Sequence, residues 1–178
     1  MNRRMKENAY FSDFAFMAIV ISLLKTFEYQ KGNKEIVIKL SITMQKILNI
    51  RTDRKNGLYD ITGKVVEVIR ESRVRTGIAS VYARGSTAAI MIQENWDESV
   101  QNDVVTLLGR LIPSGIWEHD HQDNNGDAHL KAGIVGASET IPVVDGSAGL
   151  SRWQNIFLCE FDGPRNQREV VVTILGEP

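Results

Sequence analysis

The chain has 178 residues, 43% of them hydrophobic and 24% charged, with 14 Gly and 4 Pro; that length suits one domain, and that composition excludes global disorder and fibrous repeats. The net charge of −1 hides a split: residues 1–55 hold eleven Lys/Arg against five Asp/Glu, and residues 56–178 hold ten against seventeen. An acidic body argues against a nucleic-acid binder, and the single cysteine, Cys159, excludes an internal disulfide framework and fits a reducing, cytoplasmic setting.

Met1–Lys6 is basic, and an apolar run of eleven residues follows from Phe14 to Leu24. The run is shorter than the roughly 20 residues a membrane-spanning helix needs, and Lys25-Thr-Phe-Glu28 offers no small-residue cleavage site after it. Residues 1–43 are therefore expected to be an extension, either an amphipathic helix or the product of an upstream start, with a boundary near 43 and a domain from Met44 to Pro178.

Ile36, Ile38, Leu40 and Ile42 alternate with polar residues, and the strand character continues through Ile50. Asp60 has the character of an N-cap for a helix over about 60–71, with Ile61, Val65, Val68 and Ile69 at helical spacing. Gly77–Ala83 and Thr87–Ile92 are expected to be strands. Asp97 or Ser99 opens a second helix whose apolar face is Val100, Val104, Leu107, Leu108 and Leu111, and Pro113 stops it. Residues 114–128 are polar and are expected to form a loop. Thr140–Val144, Trp153–Phe161 and Glu169–Leu175 close the chain as strands, with turns at Asp145-Gly146 and Asp162-Gly163-Pro164. The irregular order of helices and strands points to an α+β fold with mainly antiparallel strands.

All three histidines fall within eleven residues, His119, His121 and His129, among Glu118, Asp120, Asp123 and Asp127. Imidazole and carboxylate are divalent-metal ligands, and an extended backbone points His119 and His121 to one side; a solvated polar loop is the equal alternative. Arg84-Gly85-Ser86-Thr87 sets hydroxyls and a glycine backbone between two strands, where they can cradle phosphate, although no P-loop Lys follows. Glu94 and Asp103 are candidate acids, with a strand end and a polar helix face as their plainer readings. Trp153 is expected in the core, and Arg165 is a phosphate ligand or a turn residue.

Gly85-Ser-Thr-Ala-Ala-Ile90, Glu94, Asp103, Trp117-Glu-His119, Asn125-Gly-Asp-Ala-His-Leu-Lys131, Ser138–Val143, Gly146, Trp153-Gln154 and Glu160-Phe-Asp-Gly-Pro-Arg165 together resemble the YjbQ family, the so-called secondary thiamine-phosphate synthases. The similarity runs from about Met44 to Pro178. It implies an α+β fold with two packed sheets and two to three helices, a homotrimer, and a polar pocket near subunit contacts. The implied activity joins an aminopyrimidine diphosphate to a thiazole phosphate and releases pyrophosphate. On that reading His119, His129, Glu94 and Asp103 are catalytic, and His119 and His129 are tentative ligands of Mg or Zn. Ser86, Thr87, Asn125, Lys131 and Arg165, with Arg84, take the phosphates. Two departures stand out: Gly85 replaces a histidine found in many members, and Ser151-Arg152 replaces a usual Gly-Thr pair. The alternative is a non-enzymatic trimer that binds a small anion or a divalent metal. Neither reading calls for nucleic acid or a membrane.

Overall fold

The computed structural model describes the backbone of residues 20–28 and 37–40 and the whole of residues 41–178. Along the chain come strands β1 (Val20–Glu28), β2 (Val37–Thr52) and β3 (Gly57–Asp60), helix α1 (Thr62–Ser72), and strands β4 (Thr76–Arg84) and β5 (Ala88–Glu94). Helix α2 (Glu98–Leu111), a short 3-10 helix (Glu118–His121) and helix α3 (Gly126–Val135) follow, then β6 (Ser138–Val144), β7 (Ser147–Ala148), β8 (Gln154–Glu160) and β9 (Arg165–Glu177). The strands make a six-stranded antiparallel sheet in the order β1-β2-β9-β4-β6-β7 and a three-stranded antiparallel sheet in the order β3-β8-β5. This is the α+β class with two packed sheets that the sequence suggests. Among the described residues no helix is long and apolar enough to cross a membrane.

Period-two patterning builds the main core. Met44 and Leu48 of β2, Ala79, Val81 and Ala83 of β4, and Val170, Val172 and Ile174 of β9 turn inward from the larger sheet. They meet Ile90, Ile156 and Leu158 of the smaller sheet and Val65, Val68 and Ile69 of α1. The opposite face of the smaller sheet carries Ala89, Phe157 and Cys159 into a second core against Leu108 of α2 and Ala128 and Ala132 of α3. Strand β8 therefore lies between two cores, which is why Ile156–Glu160 is buried residue after residue instead of alternating. Burial pushes the Cys159 thiol up to about 12.

Several expectations need correction. The described part of the N-terminal extension, Val20–Glu28, is a strand paired with Val37–Gln45, not a helix; its β-branched and aromatic residues suit an extended backbone. The basic start and the beginning of the apolar run lie outside the described residues. The boundary at 43 falls inside β2, whose residues up to Ser41 pair with β1 alone, while Ile42 onward also pairs with β9. The N-cap of α1 is Ile61, one residue after the expected Asp60, whose Oδ1 accepts from Thr62 N at 2.8 Å; Asp97 caps α2 by accepting from Ser99 N at 2.7 Å. The apolar stripe of α2 splits: Val104, Val105 and Leu108 face the core, whereas Leu107 and Leu111 are exposed. Trp153 is 42% exposed and packs edge to face on Trp96 at 4.8 Å with the Arg152 guanidinium 4.6 Å from its ring centre, so it is not core.

Because β9 holds β2 from Ile42 onward, a chain lacking residues 1–43 is expected to remain soluble and to melt cooperatively. In that shortened chain Leu48→Ala, at a buried position of the same strand, should cost about 2–5 kcal/mol in urea unfolding. Aggregation or a non-cooperative melt of the shortened chain would show that β1 and the start of β2 belong to the folded body.

Candidate functional site

Segment 114–128, expected to be a loop, is built by one carboxylate. Asp120 Oδ2 accepts from Trp117 N at 2.9 Å and Oδ1 accepts from Gly126 N at 2.8 Å, which ties the 3-10 helix to the first residue of α3. The backbone hydrogen bond from Trp117 is the main reason the Asp120 carboxyl lies below its ordinary value. Gly126 leaves no room for a side chain, since a Cβ there would stand 2.8 Å from Trp117 Cβ. This packing brings the 3-10 helix close enough to α3 for His119 to meet His129, ring centres 4.9 Å apart and planes at 90°. A 3-10 helix turns about 120° per residue, so His121 points away from His119 instead of sharing its side. His121 borders a separate hollow of about 460 Å³ beside Trp117 and Asp120.

His129, Ala132 and Gly133, three and four residues apart on α3, form one wall of a cavity of about 680 Å³ whose other wall holds Tyr82 of β4 and Gly85-Ser86 of the following turn. The small residues open the space, and His129 and Ser86 bring polar atoms to it. Of the sequence-predicted residues, His129 and Ser86 line this cavity, His119 touches His129, and Thr87 is buried next to Ser86.

The others lie elsewhere. Glu94 ends β5, six residues or roughly 20 Å from Ala88 at the pocket. Asp103 is exposed on α2. Lys131 is buried against Asp127, Nζ to Oδ2 2.6 Å, with side chains 5% and 2% exposed. Arg165 folds back on its own turn, donating from Nε to Asp162 O at 2.9 Å and from Nη2 to the Asp162 carboxylate. Arg84 Nη1 donates to Glu169 Oε2 at 2.7 Å. Asn125 Nδ2 donates to Asp162 Oδ2 at 3.2 Å.

The sequence reading missed the buried pair beside the pocket. Glu160, fully buried, accepts from Arg168 Nε at 2.7 Å and from Arg168 Nη2 at 2.5 Å. It also accepts from Thr52 Oγ1 at 2.9 Å and Asp162 N at 2.8 Å. Arg168 Nη2 donates in addition to Thr87 Oγ1 at 2.9 Å. A glutamate ending the apolar run Ile156–Cys159 was the available signal, because a charge is rarely buried unless paired.

Residues 46–177 match the family model described as UPF0047 protein YjbQ-like. A UPF0047 protein of Methanocaldococcus jannaschii is 44% identical over 142 residues, covering 80% of this chain and 99% of that protein. The UPF0047 protein YugU of Bacillus subtilis is 38% identical over 136 residues, 75% of this chain and 100% of that one. A crystal structure titled a YbjQ-like protein of unknown function, from Sulfolobus solfataricus, superposes with a TM-score of 0.75 at 36% identity, covering 77% of this chain and 99% of the other.

Lys131→Met leaves the Asp127 carboxylate buried without its partner and is expected to cost about 3–5 kcal/mol by urea denaturation, most of it recovered when Asp127→Asn is added. The depressed Asp120 carboxyl stabilises the fold above its unfolded-state value, and that contribution is lost as the pH falls through the lower folded value. Hydrogen exchange should therefore show the Gly126 amide losing protection on acidification below about pH 4. Asp120→Asn should remove most of that pH dependence.

Proposed function

We infer that this chain, which belongs to the YjbQ-like UPF0047 family, is a transferase of phosphorylated substrates that joins an aminopyrimidine diphosphate to a thiazole phosphate and releases pyrophosphate. The observation that carries this reading is the cavity of about 680 Å³ onto which His129 and Ser86 both face. Its size lies within the range of small-molecule sites, and its polar atoms come from two walls.

In this reading the Ser86 hydroxyl and the neighbouring turn amides take phosphate oxygens, and His129, backed by His119, donates a proton to the departing diphosphate. The His119 and His129 rings, with centres 4.9 Å apart, are near enough for one nitrogen of each to reach a shared divalent ion, which when bound would help neutralise the departing diphosphate. Among the described residues no three His, Cys, Asp or Glu side chains gather as a metal-ligand set.

For assembly, the inferred homotrimer needs an apolar face. Ile156–Leu158 cannot supply it, because all three are fully buried within the chain. The outer face of the larger sheet, with Ile47, Ile78, Tyr82 and Leu175 exposed, is the available surface. Tyr82 also lines the pocket, so assembly there sets a second copy beside it.

Purified protein given both substrates is expected to form thiamine phosphate, assayed with Mg²⁺ and again with EDTA. His129→Ala should lower the rate by about 10²-fold or more while His121→Ala stays close to wild type. Absence of product from the wild-type chain rejects the transferase reading in favour of a binding protein. Light scattering should give about three times 20.0 kDa, and a monomer at micromolar concentration would reject the trimer.

A further inference from the structure

The proposed pocket receives a highly charged diphosphate, yet Lys131, Arg84 and Arg165 are each held by a carboxylate, Asp127, Glu169 and Asp162 respectively. Arg168 differs from them. A guanidinium has five N–H donors. The Nε proton goes to Glu160 Oε2, and the two on Nη2 go to Glu160 Oε1 and Thr87 Oγ1. The two left over are both on Nη1, which donates to no group among the described residues. The Glu160 carboxylate takes no further part, since Thr52 Oγ1 and Asp162 N already bond its remaining positions. Among the described residues Nη1 is the one guanidinium nitrogen of Arg168 without an acceptor.

That atom lies over Gly85, a residue of the pocket wall. A Cβ built on Gly85 would stand 3.1 Å from Arg168 Nη1 and within 4 Å of nothing else outside its chain neighbours. Gly85 does not adopt a positive φ, so the turn itself does not demand glycine. The missing side chain leaves no Cβ between Nη1, whose own residue lies just outside the cavity lining, and the Gly85-Ser86 turn that forms the wall.

We propose that Arg168 Nη1 is the anion-binding donor of this pocket, acting with the Ser86 hydroxyl on a phosphoryl or diphosphate oxygen, and that Glu160 and Thr87 fix it in place. The inference rests on the pocket reading above but not on the reaction assigned to it. The guanidinium is 11% exposed and locked on three of its five donors, so little side-chain freedom remains to be lost on binding. With its charge balanced by Glu160, it selects by donor direction more than by net charge. That suits an oxyanion presented at one place better than a diffuse counter-ion cloud.

The test is calorimetric titration of the full chain with inorganic pyrophosphate at fixed ionic strength. Wild-type protein is expected to bind. Gly85→Val, which sets side-chain atoms against Nη1, should weaken binding about ten-fold or more while the chain still folds and melts cooperatively, the loss expected for a charge-assisted hydrogen bond. Arg168→Lys, which keeps the charge and loses the fork, should weaken it similarly. Arg75→Gln, which removes a positive charge at the exposed Asp145 pair, should bind as wild type. Wild-type affinity in both Gly85→Val and Arg168→Lys overturns the assignment; if His129→Ala alone then loses pyrophosphate, the pocket reading stands without it. No binding by the wild-type chain also overturns the assignment, whatever the thiamine phosphate assay gives.

Discussion

A carboxylate with no exposed surface, that of Glu160, sets the terms for the pocket end of the molecule. Withdrawing an ionised group from water costs several kcal/mol unless its oxygens are met by donors in good geometry. Four donors meet this one, from β2 (Thr52), from the turn after β8 (Asp162) and twice from β9 (Arg168). The requirement fixes how the smaller sheet sits on the larger one. Through Thr87 it also fixes the turn between β4 and β5. Such a pair is a weak source of net stability, since well-packed apolar residues often do as well. What it supplies is position: a turn of small residues held at one distance from α3.

The opposite wall follows from a different economy of groups. The segment before α3 has few apolar residues to bury, so hydrogen bonds to Asp120 and the close packing of Gly126 under Trp117 replace a core there. Inside α3 the Asp127–Lys131 pair is buried one turn apart, with Asp127 in the first turn, where a negative charge complements the helix dipole. Both features serve to set His129 and the small residues Ala132 and Gly133 on one stripe along the cavity wall. The histidine contact is thus a consequence of backbone capping more than of any attraction between the rings.

The extent to which this was legible in the sequence depends on range. Alternation in β4 and β9 and the spacing of Val65, Val68 and Ile69 carry their burial on their face, because one side of each element meets a core. The smaller elements, β3, β7 and the 3-10 helix, are held by tertiary pairing and capping, and their few residues have no period to display. The stripe on α2 misled because Val100, Val104, Leu107 and Leu111 make as good an apolar face as Val104, Val105 and Leu108, and only the position of the second core chooses between them. At the site, His119, His129, Ser86 and Thr87 stood out by residue type. Lys131 and Arg165 also stood out, yet each has an acidic neighbour four or three residues away, and that local partner captures the side chain. Arg168 was hidden because its partners, Glu160 and Thr87, are far off in sequence or on another strand.

The two ends of the smaller sheet show what separates a structural polar network from a binding one. At the far end Asp60 accepts from Thr62 N through Oδ1 and from Asn95 Nδ2 and Asn155 Nδ2 through Oδ2, each at 2.8 Å, and Asn95 Oδ1 in turn accepts from Gln101 Nε2 at 2.6 Å. These groups join β3, α1, β5, α2 and β8, which is a complete account of what they do. At the near end the same kind of lattice, built on Glu160, ties β2, β8, β9 and the β4–β5 turn together and leaves Arg168 Nη1 without an acceptor beside the Gly85-Ser86 wall of the cavity. Glu94 ends β5 at the far end, beside the residue Asn95 that joins this network. The pocket lies where one nitrogen and one imidazole still have donors to offer, and that difference in satisfaction, more than residue type, distinguishes the two ends.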